Sequence, residues 1–135
     1  MKPIMVMAGP NARFAFRFTP AVVKAFVPRG VVGCYVLMVC DRPIYVGRSD
    51  NCLQRRLSAH GLLGLATHFL WEPCRSNVAA FYLESAWYHH LRNTEGENLL
   101  NAFHPRSPLG TKRVCPFCTP GDGDALAFAL KRQRS

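Results

Sequence analysis

The sequence predicts an α+β protein with a small three-stranded antiparallel sheet flanked by helices. Two apolar, β-favouring runs, at residues 31–40 and 44–48, are separated by a turn and predict a hairpin. A third run, at residues 67–73, predicts another strand, and helical patterns with capping residues cover 52–60 and 78–92. The order strand, strand, helix, strand, helix is typical of a sheet with helices packed against it.

The hairpin is the best defined of these elements. Residues 31–40 are apolar on both faces, which is typical of a buried central strand. The Asp-Arg-Pro segment at 41–43 has turn chemistry, and its proline cannot donate a ladder hydrogen bond. We expect a three-residue loop there, which pairs Cys40 with Ile44.

Two tyrosines, Tyr35 and Tyr45, lie on the two arms of this hairpin. Because side chains alternate between the faces of a strand, an odd loop places both phenols on the same face. Gly47 has no Cβ and leaves room there for a ligand or another side chain. The alternative is that both are ordinary strand tyrosines.

The first predicted helix carries a candidate phosphate site. Leu53 and Leu57 dock this helix on the sheet, while Arg56 and His60 lie four residues apart on one side of it. A guanidinium beside an imidazole suits phosphate, which arginine binds bidentately. The alternative is a solvated basic face, which fits the neighbouring Arg55 better.

The long helix contains an acid in an unusual position. Its apolar stripe consists of Ala80, Leu83, Trp87 and Leu91. Glu84 falls within that stripe by helical angle, and a carboxylate facing a core is costly unless it is paired or binds a metal. Acids are scarce in this chain, so Glu84 is a site candidate. The alternative is a buried salt bridge to an arginine.

The remaining segments flank this core. We expect an edge strand near 14–18, a helical turn at 21–26, and a short last helix that reaches Asn101. His-Pro and Ser-Pro pairs then end regular structure. The predicted organisation is an N-terminal extension at 1–30, a domain at 31–108 and a C-terminal tail at 109–135.

The charge balance indicates a polyanionic partner. The 135 residues include 17 Lys and Arg against 8 Asp and Glu, for a formal net charge of +9. A domain this basic usually binds nucleic acid, because its cations displace condensed counterions. A merely solubilising surface or a membrane-facing patch is the alternative.

The cellular compartment is predicted from two kinds of segment that the sequence lacks, a membrane-spanning run and a signal peptide. No run approaches the ~18–20 apolar residues that span a bilayer, and the N-terminal apolar run is too short for a signal peptide. Without export, the six cysteines are expected to stay reduced. We therefore predict a cytoplasmic protein without a membrane partner.

Five short motifs occur in register between Gly33 and Pro105. They are "GCY" at 33–35, "YVG" at 45–47, "RLSAH" at 56–60, "YLES" at 82–85 and "LLNAFHP" at 99–105. In this order and spacing they resemble the GIY-YIG nuclease superfamily over about half of the chain. The resemblance implies that residues 31–108 form a GIY-YIG nuclease-like domain.

The resemblance also implies a metal-dependent endonuclease that hydrolyses phosphodiester bonds in DNA. The implied catalytic residues are Tyr35, Tyr45, Arg56, His60, Glu84 and Asn101. Glu84 would hold one Mg²⁺ or Mn²⁺, since a single inward carboxylate does not suit a two-metal clamp. Tyr35 is the general-base candidate, Arg56 would stabilise the pentacovalent phosphate, and Tyr45 would orient water or phosphate. Asn101 would brace the site.

Two departures from the family pattern concern the same region. Cys34 replaces the usual aliphatic residue, although its side chain faces away from Tyr35. The stretch between Tyr45 and the arginine is one residue longer than in the commonest members, which leaves Arg55 as a rival to Arg56. We prefer Arg56 because His60 follows it at i+4. Arg48 and Arg55 are expected to contact DNA.

The tail carries a C-x2-C knuckle, Cys115 and Cys118, which is half of a zinc site. Completion with Zn²⁺ would require a second chain or ligands from His89, His90, His104, Cys52 or Cys74. The alternative is a reduced pair in a loop.

Two other functions remain open from the sequence. One is a non-catalytic nucleic-acid-binding module on the same fold, and the other is a zinc-ribbon-like interaction protein. Oligomeric state is open as well: a homodimer would make two cuts and a monomer would nick.

Overall fold

The chain folds into an antiparallel sheet with helices on both of its faces, so the predicted α+β class is confirmed. The computed structural model describes residues 4–8 and 11–118. Within them, the elements are β1 (Ile4–Ala8), β2 (Asn11–Arg17), α1 (Pro20–Phe26), β3 (Gly33–Val39), β4 (Arg42–Ser49), α2 (Leu53–Ser58), β5 (His68–Pro73), α3 (Asn77–Glu95) and a 3₁₀ turn (Gly96–Asn98).

The predicted count of three strands is wrong, because the sheet has five in the order β1-β2-β5-β3-β4. The three predicted strands form one side of it, with β3 between β4 and β5. β2 joins that core by pairing Phe16 with Phe69 and Arg17 with His68. The sequence indicated β2 only as an edge strand of the extension and gave no sign of β1.

The segment predicted as an extension, residues 1–30, contributes to the core in its described part. Phe18, Val23 and Val27 are buried against the sheet. Thr19 caps α1 by accepting a hydrogen bond from the backbone N–H of Val22, and Pro20 occupies the first turn, where its missing N–H costs nothing. The tail predicted at 109–135 is described only as far as residue 118.

The register of the β3–β4 hairpin differs from the expectation. Cys40 does not pair with Ile44: Val39 pairs with Arg42, so the connection is a two-residue turn. Cys40 takes the positive φ (55°) that such a turn requires, and an irregularity after Leu37 absorbs one residue of β4. Leu37 therefore lies opposite Tyr45, whereas the predicted register would have placed it opposite Gly47. The two registers differ by two residues, an even number, so the predicted shared face of the two tyrosines is preserved.

Alternation along β3 and β4 builds two cores. On one face, Cys34, Val36, Met38 and Val46 pack against α3 through Ala80, Trp87 and Leu91. On the other, Tyr35, Leu37 and Ile44 pack against Val23, Leu53 and Leu57 of α1 and α2. The predicted docking of α2 through its two leucines is confirmed, since both are fully buried. No helix within the described ranges has both the length and the apolar character needed to span a bilayer.

Candidate functional site

A cleft with a volume of about 830 Å³ opens beside β4, the last strand of the sheet, and we call it the β4 cleft. Its walls come from β4, α2, α3 and residues 101–106. Five of the six predicted catalytic residues line it: Tyr45, Arg56, His60, Glu84 and Asn101. These side chains are up to 56 positions apart in the chain, from Tyr45 to Asn101, and the fold brings them to one place.

Three rings form the floor of the cleft. Tyr35 and Tyr45 are stacked with their centroids 6.3 Å apart and an interplanar angle of 22°. His60 meets both rings edge-on, at 5.5 Å from Tyr35 and 5.1 Å from Tyr45. Tyr45 lines the cleft, whereas Tyr35 is fully buried beneath it and does not.

The hydroxyl of Tyr35 is a buried polar group without a hydrogen bond of standard geometry. Burial raises the pKa of Tyr35, and the nearby Arg56 guanidinium opposes that rise. A phenol that resists ionisation and has no exposed surface is poorly suited to take a proton from water in the cleft. The predicted role of Tyr35 as general base is therefore not favoured by its surroundings.

Gly47 lies directly opposite Tyr35 in the β3–β4 ladder. A Cβ at this position would overlap the phenol ring and hydroxyl of Tyr35. The room that the sequence predicted at Gly47 thus exists, and the side chain of Tyr35 takes it.

We expect Gly47→Ala to lower the free energy of unfolding by about 1–3 kcal/mol, because a packed core must shift to admit the methyl group. Urea denaturation measures this change. Gly61→Ala is the matched control, since a Cβ there meets nothing within 4 Å. Equal losses in the two variants would contradict the steric explanation.

The tautomer of His60 follows from its hydrogen bonding. Its Nδ1 accepts the backbone N–H of Leu62 at 3.1 Å, so in the neutral ring the proton is on Nε2. Burial, and then the charge of Arg56, lower the pKa of His60. His60 is accordingly a neutral hydrogen-bond donor at pH 7 rather than a cation.

The inward orientation predicted for Glu84 is confirmed, and so is the alternative of a buried salt bridge. Glu84 is 8% exposed, and its Oε1 accepts a hydrogen bond from Nη1 of Arg48 at 2.6 Å. Burial raises the pKa of the Glu84 carboxyl, and Arg48 opposes that rise.

Arg48 is held from three sides. Besides Glu84, it contacts Asp50 through Nε at 2.7 Å and lies over the Phe81 ring at 5.4 Å. The sequence placed Arg48 among residues free to contact DNA. The structure instead shows it pairing with two carboxylates, so it is less available to a phosphate than the other arginines of the cleft.

Arg55 and Arg56 both line the β4 cleft. The contact of Arg56 with the hydroxyl of Tyr35 raises the pKa of the guanidinium, and Tyr45 adds to this effect. Arg56 also acts on the pKa of His60 and Glu84. The preference for Arg56 over Arg55 as the central arginine agrees with these contacts.

Asn101 binds the edge of β4 as an additional strand residue would. Its Oδ1 accepts the N–H of Val46 at 3.0 Å, and its Nδ2 donates to the carbonyl of Val46 at 2.7 Å. The backbone N–H of Leu100 donates to Ile44 at 2.6 Å. These bonds fix β4 between Tyr45 and Gly47.

Arg92 is a residue that the sequence did not single out. Its guanidinium donates to the carbonyls of Gly96, Leu99 and Asn101 at 3.2, 3.2 and 2.6 Å. The side chain therefore holds the segment that presents Asn101. The only sequence sign of this role is a basic residue in the last turn of a helix, where such residues commonly bind terminal carbonyls.

A second group of side chains lies beside the cleft and could hold a metal ion. It consists of His89, His104, Cys115 and Cys118, whose ligand atoms all lie within 4.8 Å of one another. The structure thus selects His89 and His104 from the partners predicted for the knuckle. His90, Cys52 and Cys74 are not in this group.

Comparison with protein-family models, curated proteins and solved structures found no match to this chain. The likeness to GIY-YIG nucleases consequently rests on the five sequence motifs.

Proposed function

We propose that this protein hydrolyses phosphodiester bonds in DNA as a metal-dependent endonuclease of the GIY-YIG type. The observation that carries the proposal is the convergence of Tyr45, Arg56, His60, Glu84 and Asn101 on one cleft. Unrelated strand and helix residues would not be expected to meet in this way.

The charge of the cleft supports a phosphate ligand. Four lining residues are arginines, Arg48, Arg55, Arg56 and Arg106, against the two acids Asp50 and Glu84. Both acids are paired with Arg48, so among the described residues neither of them neutralises Arg55, Arg56 or Arg106 by an ion pair. The volume of about 830 Å³ lies in the range of ligand sites and is open at a sheet edge, where a polymer could lie across it.

The side chains have distinct roles in this proposal. Arg56 binds the scissile phosphate and stabilises the charge that grows on its oxygens. His60 donates from Nε2 to the same phosphate. Tyr45, which lines the cleft beside Arg56, is the proposed general base, which orients the attacking water and would take its proton. Asn101 keeps β4, and with it Tyr45, in place.

The proposed metal is Mg²⁺ or Mn²⁺, held by Glu84. One carboxylate suits such an ion, because Mg²⁺ takes most of its ligands from water and phosphate. Oε1 of Glu84 is bonded to Arg48, so the metal would use the other oxygen or displace the guanidinium. When bound, the ion would offset negative charge on the phosphate and leaving oxygen.

Substitution of each tyrosine distinguishes the mechanism proposed here, with Tyr45 as the general base, from the one that the sequence first indicated, with Tyr35 as the base. We expect Tyr45→Phe to lower the single-turnover cleavage rate by about 10²–10⁴-fold, the usual contribution of a proton-transfer group. Tyr35→Phe removes a buried hydroxyl that lies near Arg56 but makes no hydrogen bond of standard geometry, and it should leave the rate within about threefold with little change in stability. The reverse result, with Tyr35→Phe the damaged variant, would restore Tyr35 as the base.

A non-catalytic DNA-binding module is the second candidate. The pairing of Glu84 with Arg48 favours it, since the one deeply buried carboxylate of the cleft is already neutralised. The two functions differ in one assay: a nuclease converts supercoiled plasmid to nicked circles with Mg²⁺, while a binding module retards the plasmid in a gel without cutting it.

A further inference from the structure

The four ligand-type residues beside the cleft come from three parts of the chain. His89 lies on α3, His104 follows Asn101 closely, and Cys115 and Cys118 belong to the tail. Three of their atoms form a tight triangle, because Nε2 of His89, Nε2 of His104 and Sγ of Cys118 are separated by 3.0–3.1 Å. Sγ of Cys115 lies 3.5 Å from Nε2 of His89.

Hydrogen bonding alone is a poor explanation of this triangle. Nδ1 of His104 lies 2.7 Å from the carbonyl of Pro105, and a carbonyl can only accept. Nδ1 therefore carries the proton, and the Nε2 lone pair of the neutral ring points at the other three residues. This is the orientation in which a histidine binds a metal, with its second nitrogen held by a backbone carbonyl.

The types of ligand atom and the distances between them indicate which metal would bind. Two thiolates and two imidazoles make a tetrahedral Cys₂His₂ set, which in proteins holds zinc. With bonds of about 2.0–2.3 Å, a tetrahedral zinc separates its ligand atoms by roughly 3.3–3.8 Å. Four of the separations here are 3.0–3.5 Å and all are within 4.8 Å, so small side-chain movements would complete the tetrahedron. Phe117, between the two cysteines, packs on the His89 ring at 6.0 Å, and Cys115 is buried.

We propose that His89, His104, Cys115 and Cys118 bind one structural Zn²⁺, which clamps residues 103–106 to α3 and so fixes a wall of the β4 cleft. Phe103, His104, Pro105 and Arg106 all line that cleft. Among the described residues, the hydrogen bonds of Asn101 and Arg92 hold its N-terminal side, and the Tyr88 ring of α3 meets His104 edge-on at 5.2 Å. Binding of zinc is independent of the proposed nuclease function, whereas any effect of zinc on cleavage rests on it.

Zinc content of the purified full-length chain tests the site directly. We expect about one zinc per chain by elemental analysis, and replacement with Co²⁺ should give the intense visible absorption of a tetrahedral thiolate complex. His89→Gln and Cys118→Ser should lose the metal. The matched controls His90→Gln and Cys40→Ser, both at exposed residues outside the group, should keep it. Zinc-free wild-type protein, a Cys115–Cys118 disulfide, or full zinc in His89→Gln would overturn the proposal.

Hydrogen exchange tests the clamp without reference to activity. We expect the amides of Phe103, His104 and Arg106 to exchange at least about tenfold faster in His89→Gln than in His90→Gln, because local opening is no longer opposed by the metal. The protection of β3 should be the same in both variants, which shows that the fold survives. Unchanged exchange at 103–106 in a zinc-free variant would refute the clamp, whatever the outcome of a cleavage assay.

Discussion

Arg56→Ala lowers the rate of DNA cleavage by about 10²–10³-fold, the loss typical of removing one preorganised donor to a developing charge. The physical reason is that Arg56 faces the cleft beside Tyr45 and His60, while Arg48 is committed to two carboxylates. Single-turnover kinetics on a labelled duplex measure this loss. DNA affinity should fall less than the rate, because Arg55 and Arg106 remain.

Two variants make the Arg56 result specific. Arg75→Ala removes the same charge from an exposed position outside the cleft and should leave the rate within about twofold, as surface substitutions commonly do. Arg55→Ala should weaken binding more than it slows the bound complex. If Arg55→Ala were the inactive variant and Arg56→Ala the mild one, the central arginine would have been misassigned.

Glu84→Gln keeps the size of the side chain and an oxygen for Arg48, but it removes the charge on which the proposed metal depends. We expect the cleavage rate to fall at least about 100-fold with DNA binding retained. Glu97→Gln, an exposed change of the same charge, is the matched control. Cleavage by Glu84→Gln at the control rate would exclude a metal role for this residue.

The pH dependence gives an independent measure of Glu84. Burial raises the pKa of this carboxyl, so activity that needs the carboxylate is lost on acidification at a higher pH than for a free glutamate, whose pKa is about 4.3. Arg48 opposes the rise, so Arg48→Gln should move the acid limb of the kcat/KM profile further towards neutral pH. A limb that moves to lower pH, or stays in place, would contradict this account of the Glu84 environment.

Much of the site could be predicted because it depends on local periodicity. The alternation of side chains along a strand placed Tyr35 and Tyr45 on one face. This prediction held although the loop is one residue shorter than predicted, because the register differs from the predicted one by two residues. The helical period placed Glu84 inward. These are properties of neighbouring residues, which a sequence displays directly.

What could not be predicted depends on distant partners. Period two assigns Tyr35 to a face but does not say how deeply it is buried, and its depth changes its chemistry. The Arg48–Glu84 pair joins residues 36 positions apart on different elements. The residue pattern of β4 does not indicate that Arg48 will contact α3, and the pattern of α3 does not indicate which residue will pair with Glu84. The predicted number of strands was wrong for the same reason, since β2 is recognised as part of the sheet only through its pairing with β5.

The central claim is that the β4 cleft cuts DNA, and a plasmid assay tests it most directly. Purified full-length protein is incubated with supercoiled plasmid and Mg²⁺, with EDTA in a parallel reaction and Arg56→Ala in a third. We predict nicked circles with Mg²⁺ for the wild-type chain and supercoiled plasmid in the other two. Retarded but uncut plasmid under all three conditions would contradict the account and leave a DNA-binding module on this fold.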